Sequence, residues 1–243
     1  QLVRLMGMIE RRFRLSSSAA TTIECNPRRT SANQLELLQG LGFKGLSFGV
    51  QDLNLSVQRA IGRINSLELV RDVCANARDA GFQTINLDLI YGLPEQTEAS
   101  FLETLEAVVD LGPDRVRCYS YSHRPATRPH QYAMESWHLP SPEEKLALLH
   151  EAVDRFTAAG YEWIGVDCFV RPGDELSVAQ SAKRLRHNCI GYTGSGAQHL
   201  IAVGMSALGE VDGAFVQNEP ALKPWATALE AGKLPVAWGH RLS

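Results

Sequence analysis

The 243 residues are 44% hydrophobic and 21% charged, with a formal charge of -3. This is ordinary usage for a chain that builds one sizeable α/β core, and it lacks the basic excess that a phosphate backbone demands, so nucleic acid is not an expected partner. No apolar run approaches the roughly 18 residues of a membrane helix, and no charged, apolar and small-residue series reads as a signal peptide, so a cytoplasmic location is expected.

The chain opens on LVRLMGMIERRF, a helical pattern with neither an initiator methionine nor a capping residue before it, and is therefore expected to be a fragment of a longer protein. TTIECNP follows as a strand stopped by Asn26-Pro27, and Ser31 is placed to cap a helix over ANQLELLQGLG. The unit then repeats. GLSFGVQD reads as a strand, VQRAIGR and SLELVRDVCANARDAG as helices with Ser66 capping the second, and TINLDLIYGLP as the next strand. A helix is predicted from about Glu98 to Leu111, stopped by Gly112-Pro113, and RVRCYSYSH is the fourth strand.

HRPATRPHQYAMESWHLP has three prolines and no period, the pattern of a long functional loop. SPEEKLALLHEAVDRFTAAG has the strongest helix signals: Ser141 as cap, Pro142 in the first turn, early glutamates and Gly160 at the end. YEWIGVDCF is predicted as a fifth strand, RPGDELSVAQSAKRLRHNCIGYTGSGAQ as a loop with a short helix, and LIAVGMSALGEV as a sixth strand and turn. EPALKPWATALEAGKLPV reads as a last helix and an exit from the domain over about 220–243. The fold class that follows is α/β, a partial (β/α)6 open TIM-like barrel of parallel strands with outer helices, spanning 1–243 without a linker.

In such a fold the strand carboxyl ends meet on one face, where ligands bind. Glu24, Gln51 and Asp88 fall there, with Ser120 or Ser122 after the fourth strand. Two carboxylates and an amide suit a ligand offering hydroxyls and an amine, although each could instead cap the following turn. Arg63 is placed to reach a ligand carboxylate, or else is a solvated helix arginine. Asp167, Arg171, Asp174 and Glu175 crowd one turn as an ion-pair network or an anion site. His123, His130 and His138 lack the spacing of a helical metal pair, and five widely separated cysteines form neither a disulfide framework nor a metal clip.

The series ECNPRR, LSFGVQDLNLSVQRAIGR, INLDLIYGLPEQT, PDRVRCYSYSHRP, LPSPEEKL, GVDCFVRPGDELSVAQ and IGYT closely resembles the oxygen-independent coproporphyrinogen III oxidases, radical S-adenosylmethionine (SAM) enzymes of haem synthesis. The resemblance covers nearly the whole chain. It implies that Glu24, Gln51, Arg63 and Asp88 bind SAM, with Ser122 and Leu208 beside it. It also implies a [4Fe-4S] cluster that splits SAM to a 5'-deoxyadenosyl radical, an electron donor for that cluster, and coproporphyrinogen III as substrate. Two of its propionates would become vinyl groups, giving protoporphyrinogen IX. Arg124, Arg128 and Arg171 are the expected anchors for the substrate's carboxylates, no residue is singled out as catalytic, and a monomer is expected.

The departures from the family pattern are equally definite. The CxxxCxxC trio that would hold the cluster is absent, as is the Gly-rich segment after it, so cluster ligands are expected upstream of residue 1 and a small helical domain beyond residue 243. Cys168 stands where relatives often have histidine. On this reading the fragment alone is inactive. The rival expectations are a haem-binding chaperone of the same superfamily, and a barrel lyase or isomerase using Glu24 and Asp88 as acid and base.

Overall fold

The computed structural model describes residues 1–16 and 18–241, which form two compact units, Gln1–Asp174 and Glu175–Ser243. The first unit begins with helix α1 (Leu2–Arg12) and then runs β1 (Thr22–Cys25), α2 (Ala32–Gly40), β2 (Gly45–Gln51), α3 (Leu55–Ala60), α4 (Leu67–Asp79), β3 (Thr84–Tyr91), α5 (Glu98–Leu111) and β4 (Arg115–Ser120). It closes with α6 (Pro142–Ala158) and the strands β5 (Glu162–Gly165) and β6 (Cys168–Val170).

The helix starts lie where the capping residues set them. Ser31, Ser66 and Ser141 each accept a hydrogen bond from a first-turn amide, and the Ser31 and Ser141 amides donate to Gln34 Oε1 and Glu144 Oε2 in turn. Such caps fix where each strand-to-helix loop ends. They therefore fix the length of loop left to carry function.

One sheet holds the six strands in the order β1-β2-β3-β4-β6-β5. The first four are parallel, as the alternation of strand and helix requires. Side chains alternate across this sheet with the strand period of two. Phe48, Leu87, Val116 and Phe169 point to one face and pack with Phe101, Leu105 and Phe156 of the outer helices, all fully buried. The opposite face is polar. Along one register row it carries Glu24, Ser47, Asn86 and Arg115, and along the next Gly49, Asp88, Arg117 and Cys168.

YEWIGVDCF corrects the expectation of a single fifth parallel strand. It folds as a hairpin turning at Val166 and Asp167, so that β6 runs antiparallel to β4 and β5 antiparallel to β6. Val166 and Asp167 make the turn, and apolar residues on both sides give the hairpin the look of one continuous run.

The second unit contains α7 (Glu175–Ser181), the hairpin β7 (Arg186–Asn188) and β8 (Gly191–Thr193), then β9 (Leu208–Val211), β10 (Ala214–Asn218), α8 (Leu222–Glu230) and β11 (Val236–Arg241). The expected sixth parallel strand is instead β9, which pairs antiparallel with β10. Asp212 and Gly213, with φ of 50° and 70°, make the tight turn between them. The exit expected after α8 is the strand β11, antiparallel to β10, whose last neighbours, 242–243, fall outside the described residues.

Candidate functional site

The polar face is sharpest where β2 ends. Pairing of β2 with β3 shifts register between Gly49 and Gln51, and Gln51 takes a left-handed φ of 72°, a conformation that costs a non-glycine residue about 1–3 kcal/mol and persists where surrounding structure imposes it. The kink turns the Gln51 side chain back across Gly49. A Cβ at Gly49 would lie 2.7 Å from Gln51 Nε2 and 2.9 Å from Arg63 Nη2, so the missing side chain is what lets both groups occupy this spot. Arg63 Nη2 donates to the Gly49 carbonyl at 2.9 Å, while its Nε is buried without a hydrogen-bond partner.

Asp88 is the register partner of Gly49 on β3. Ser47 Oγ donates to its Oδ2 at 2.7 Å and Asn86 Nδ2 to its Oδ1 at 2.7 Å, with Asn86 also donating to Ser47 Oγ at 2.8 Å. Burial pushes the Asp88 carboxyl above the ordinary aspartate range; the bonds from Ser47 and Asn86 and the Arg117 charge oppose this, and Glu24 adds to it. Burial also lowers the Arg63 guanidinium from its usual value, with Arg28 acting the same way and Asp88 opposing. Glu24, Gln51, Arg63 and Asp88 thus share one polar surface, as the strand-end pattern predicts. A carboxylate with a donor on each oxygen is a fixed acceptor, which favours binding over the acid–base role of the lyase expectation.

Asp52, one residue beyond Gln51, is fully buried and anchors this turn. Its Oδ1 accepts from the Asn54 amide at 2.6 Å and from Thr104 Oγ1 at 3.0 Å, and its Oδ2 from Gln96 Nε2 at 2.6 Å. Gln96 Oε1 in turn accepts from the Gly92 amide at 2.6 Å, which ties the loop after β3 to the loop after β2. Sequence reasoning missed Ser47, Asn86, Asp52 and Gln96. Ser47 and Asn86 had a signal, since each lies at an even spacing from a strand-end residue and so on its face.

Beyond the strand ends, a recess of about 920 Å³ is lined by Ile90, Ser120, Ser122, Arg124, Arg128 and neighbouring loop residues. Ile90 follows Asp88 by two positions and continues its face. Gln131 holds the loop shut on itself, accepting from the Arg124 amide at 2.6 Å and donating to the Ser122 carbonyl at 3.0 Å. Ser122, Arg124 and Arg128 are therefore brought together.

Arg171 is not brought there. Because β6 runs backwards, Arg171 lies by the start of β4: its amide donates to the Asp114 carbonyl at 2.9 Å, its Nε to the Pro113 carbonyl at 3.4 Å, and its guanidinium sits 4.4 Å from the centre of the Tyr161 ring. This corrects its expected place at the strand ends. Asp174 pairs with Arg115 at 2.7 Å. Leu208 belongs to the second unit, at the start of β9, where its carbonyl accepts from Cys189 Sγ.

Residues 4–108 match the family model described as the radical SAM superfamily. A solved structure described as coproporphyrinogen III oxidase from Escherichia coli, a radical SAM enzyme, superposes with a TM-score of 0.92 at 37% identity, covering 100% of this chain and 56% of that one. Residues 4–108 are thus a radical SAM domain. Among curated relatives, the oxygen-independent coproporphyrinogen III oxidase of Escherichia coli strain K12 is 40% identical over 225 residues, 93% of this chain and 49% of the relative. That of Pseudomonas aeruginosa is 37% identical over 241 residues, 98% of this chain and 52% of the relative. The chain thus spans about half the length of the curated relatives it matches, and its fold is the mixed α/β, parallel-strand, TIM-like class expected from sequence.

The described residues fit the two cofactors of this superfamily unequally. The Gln51 and Arg63 side chains gathered over Gly49, with Arg63 Nε unpartnered, supply donors for a small charged ligand. An iron–sulfur cluster does not fit: among the described residues no three His, Cys, Asp or Glu are grouped to hold a metal. Burial raises the thiols of Cys74 and Cys168 to about 11.

Proposed function

We propose that this radical SAM chain is the SAM- and substrate-binding portion of an oxygen-independent coproporphyrinogen III oxidase, which converts two propionates of coproporphyrinogen III to vinyl groups, each losing carbon dioxide, one hydrogen atom to the SAM-derived group and one electron to an external acceptor. SAM, when bound, supplies the group that abstracts hydrogen. The chain's own residues bind and orient it. Glu24 and Asp88 accept from its hydroxyls and ammonium, Gln51 donates and accepts, Arg63 meets its carboxylate, and Ser122 completes the surround. Arg124 and Arg128 in the recess take propionate carboxylates of the substrate. Cluster ligands and the electron donor come from outside these residues, and the protein acts as a cytoplasmic monomer; no helix among the described residues is long and apolar enough to cross a membrane.

The observation that carries this reading is the meeting of Gln51 and Arg63 over Gly49, in register with Asp88. Equilibrium binding of SAM to the purified protein tests it. Binding is expected, and Gly49→Ala should weaken it by about tenfold or more, because the methyl group displaces two ligand-facing side chains at once. A wild-type protein with no affinity for SAM, or a folded Gly49→Ala variant that binds unchanged, would overturn it.

A further inference from the structure

Arg115 and Arg117 point to the same polar face from β4, and their situations differ. Arg115 Nε donates to Asp174 Oδ2 at 2.7 Å, so its charge is answered. Arg117 is half-buried, makes one side-chain hydrogen bond, from Nη1 to the Tyr119 hydroxyl at 3.2 Å, and has no ion pair among the described residues. A guanidinium carries five N–H donors in a planar fork. Most of that fork is unused. Its register partners are Asp88 on β3 and Cys168 on β6, which with Tyr119 are the charged or ionisable groups nearest it. Asp88 already accepts from Ser47 and Asn86.

We propose that Arg117, braced by the Tyr119 hydroxyl, seats a ligand carboxylate beside Asp88 and so determines which ligands the site accepts. The inference rests on the binding role proposed above and deepens it. A carboxylate acceptor on Arg117 and an ammonium or hydroxyl donor on Asp88 would be held one strand apart, about 5 Å. Two sources offer that carboxylate: the amino-acid end of SAM and a propionate of the porphyrinogen.

Binding of four probes to the purified protein separates them: SAM, decarboxylated SAM, coproporphyrin III and its tetramethyl ester. Arg117→Met is expected to weaken one acid-bearing probe by about tenfold relative to its carboxylate-free counterpart, and Arg117→Lys to recover most of the loss. The pair that responds identifies the source. If both ratios stay as in wild type, Arg117 is only a counter-charge for Asp88 and the proposal fails. Should Arg117→Met not fold, Tyr119→Phe decides: about threefold selective weakening supports the brace, and unchanged ratios overturn the proposal. Failure of the wild-type protein to bind either acid-bearing probe would sink the functional reading itself, whereas binding with unmoved ratios would sink the carboxylate seat alone.

Discussion

At position 88 a half-buried carboxylate takes its donors from Ser47 and Asn86, and loss of water sets the direction of its proton affinity. An acid whose folded value is raised costs stability once the pH exceeds its unfolded value: the unfolded chain ionises first, stability falls as pH climbs to the raised value, and the loss is constant above it. Asp88→Asn removes that loss. Its oxygen still accepts from Asn86 and its new amide donates to Ser47. Without ligand the variant should therefore melt higher at pH 7, by about 2–4 °C per kcal/mol recovered, and the gap should close below the ordinary aspartate range, while SAM affinity drops sharply. A thermal scan against pH checks the first point; a variant less stable at pH 7 contradicts it. Residues of this kind were legible where strand ends announced them, as at Glu24 and Gln51, and Asp88 was legible from the turn that soon follows it. Arg117, its register partner, was hidden because its face is declared only once the pairing of β3 with β4 is known.

Among the elements, the loops after β2 and β3 act as a pair through Asp52 and Gln96. Gln96 cannot turn its amide over, because its oxygen already accepts from the Gly92 and Leu93 amides. Asp52→Asn would thus set one N–H against another whichever way it turned, at a cost of about 1–3 kcal/mol, readable as a lower denaturant midpoint. An unchanged midpoint would mean that the two loops are not coupled. The helices were legible almost to the residue, since Ser31, Ser66 and Ser141 carry their own start signals. The antiparallel pieces were not. Asp212-Gly213 between apolar runs is a strong hairpin signal, and the repeated strand-and-helix rhythm masked it. At Val166-Asp167 the turn lacked such a pair, and the fold-back is held by tertiary contacts: Phe169 packs against the core face and the Cys118 amide donates to the Asp167 carbonyl at 2.7 Å.

For the molecule as a whole, the large apolar core lies within residues 1–174. A chain ending at Asp174 should therefore unfold in one cooperative transition, followed by far-UV circular dichroism and tryptophan fluorescence; non-coincident transitions would show that the second unit is needed for its stability. The boundary was invisible in the sequence because RPGDELSVAQ runs through it without a glycine- or serine-rich spacer. The four-strand parallel pattern was visible because it alternates with well-capped helices.

The reversal of β6 also decides where this architecture can vary. Beside β4 the rim is formed by a bare two-residue bend carrying the exposed Val166, whereas its other neighbours are linkers that must each deliver a helix. Length can be added at that bend without disturbing any outer helix, which makes it the natural place for lineages, or a designer, to graft new ligand preferences.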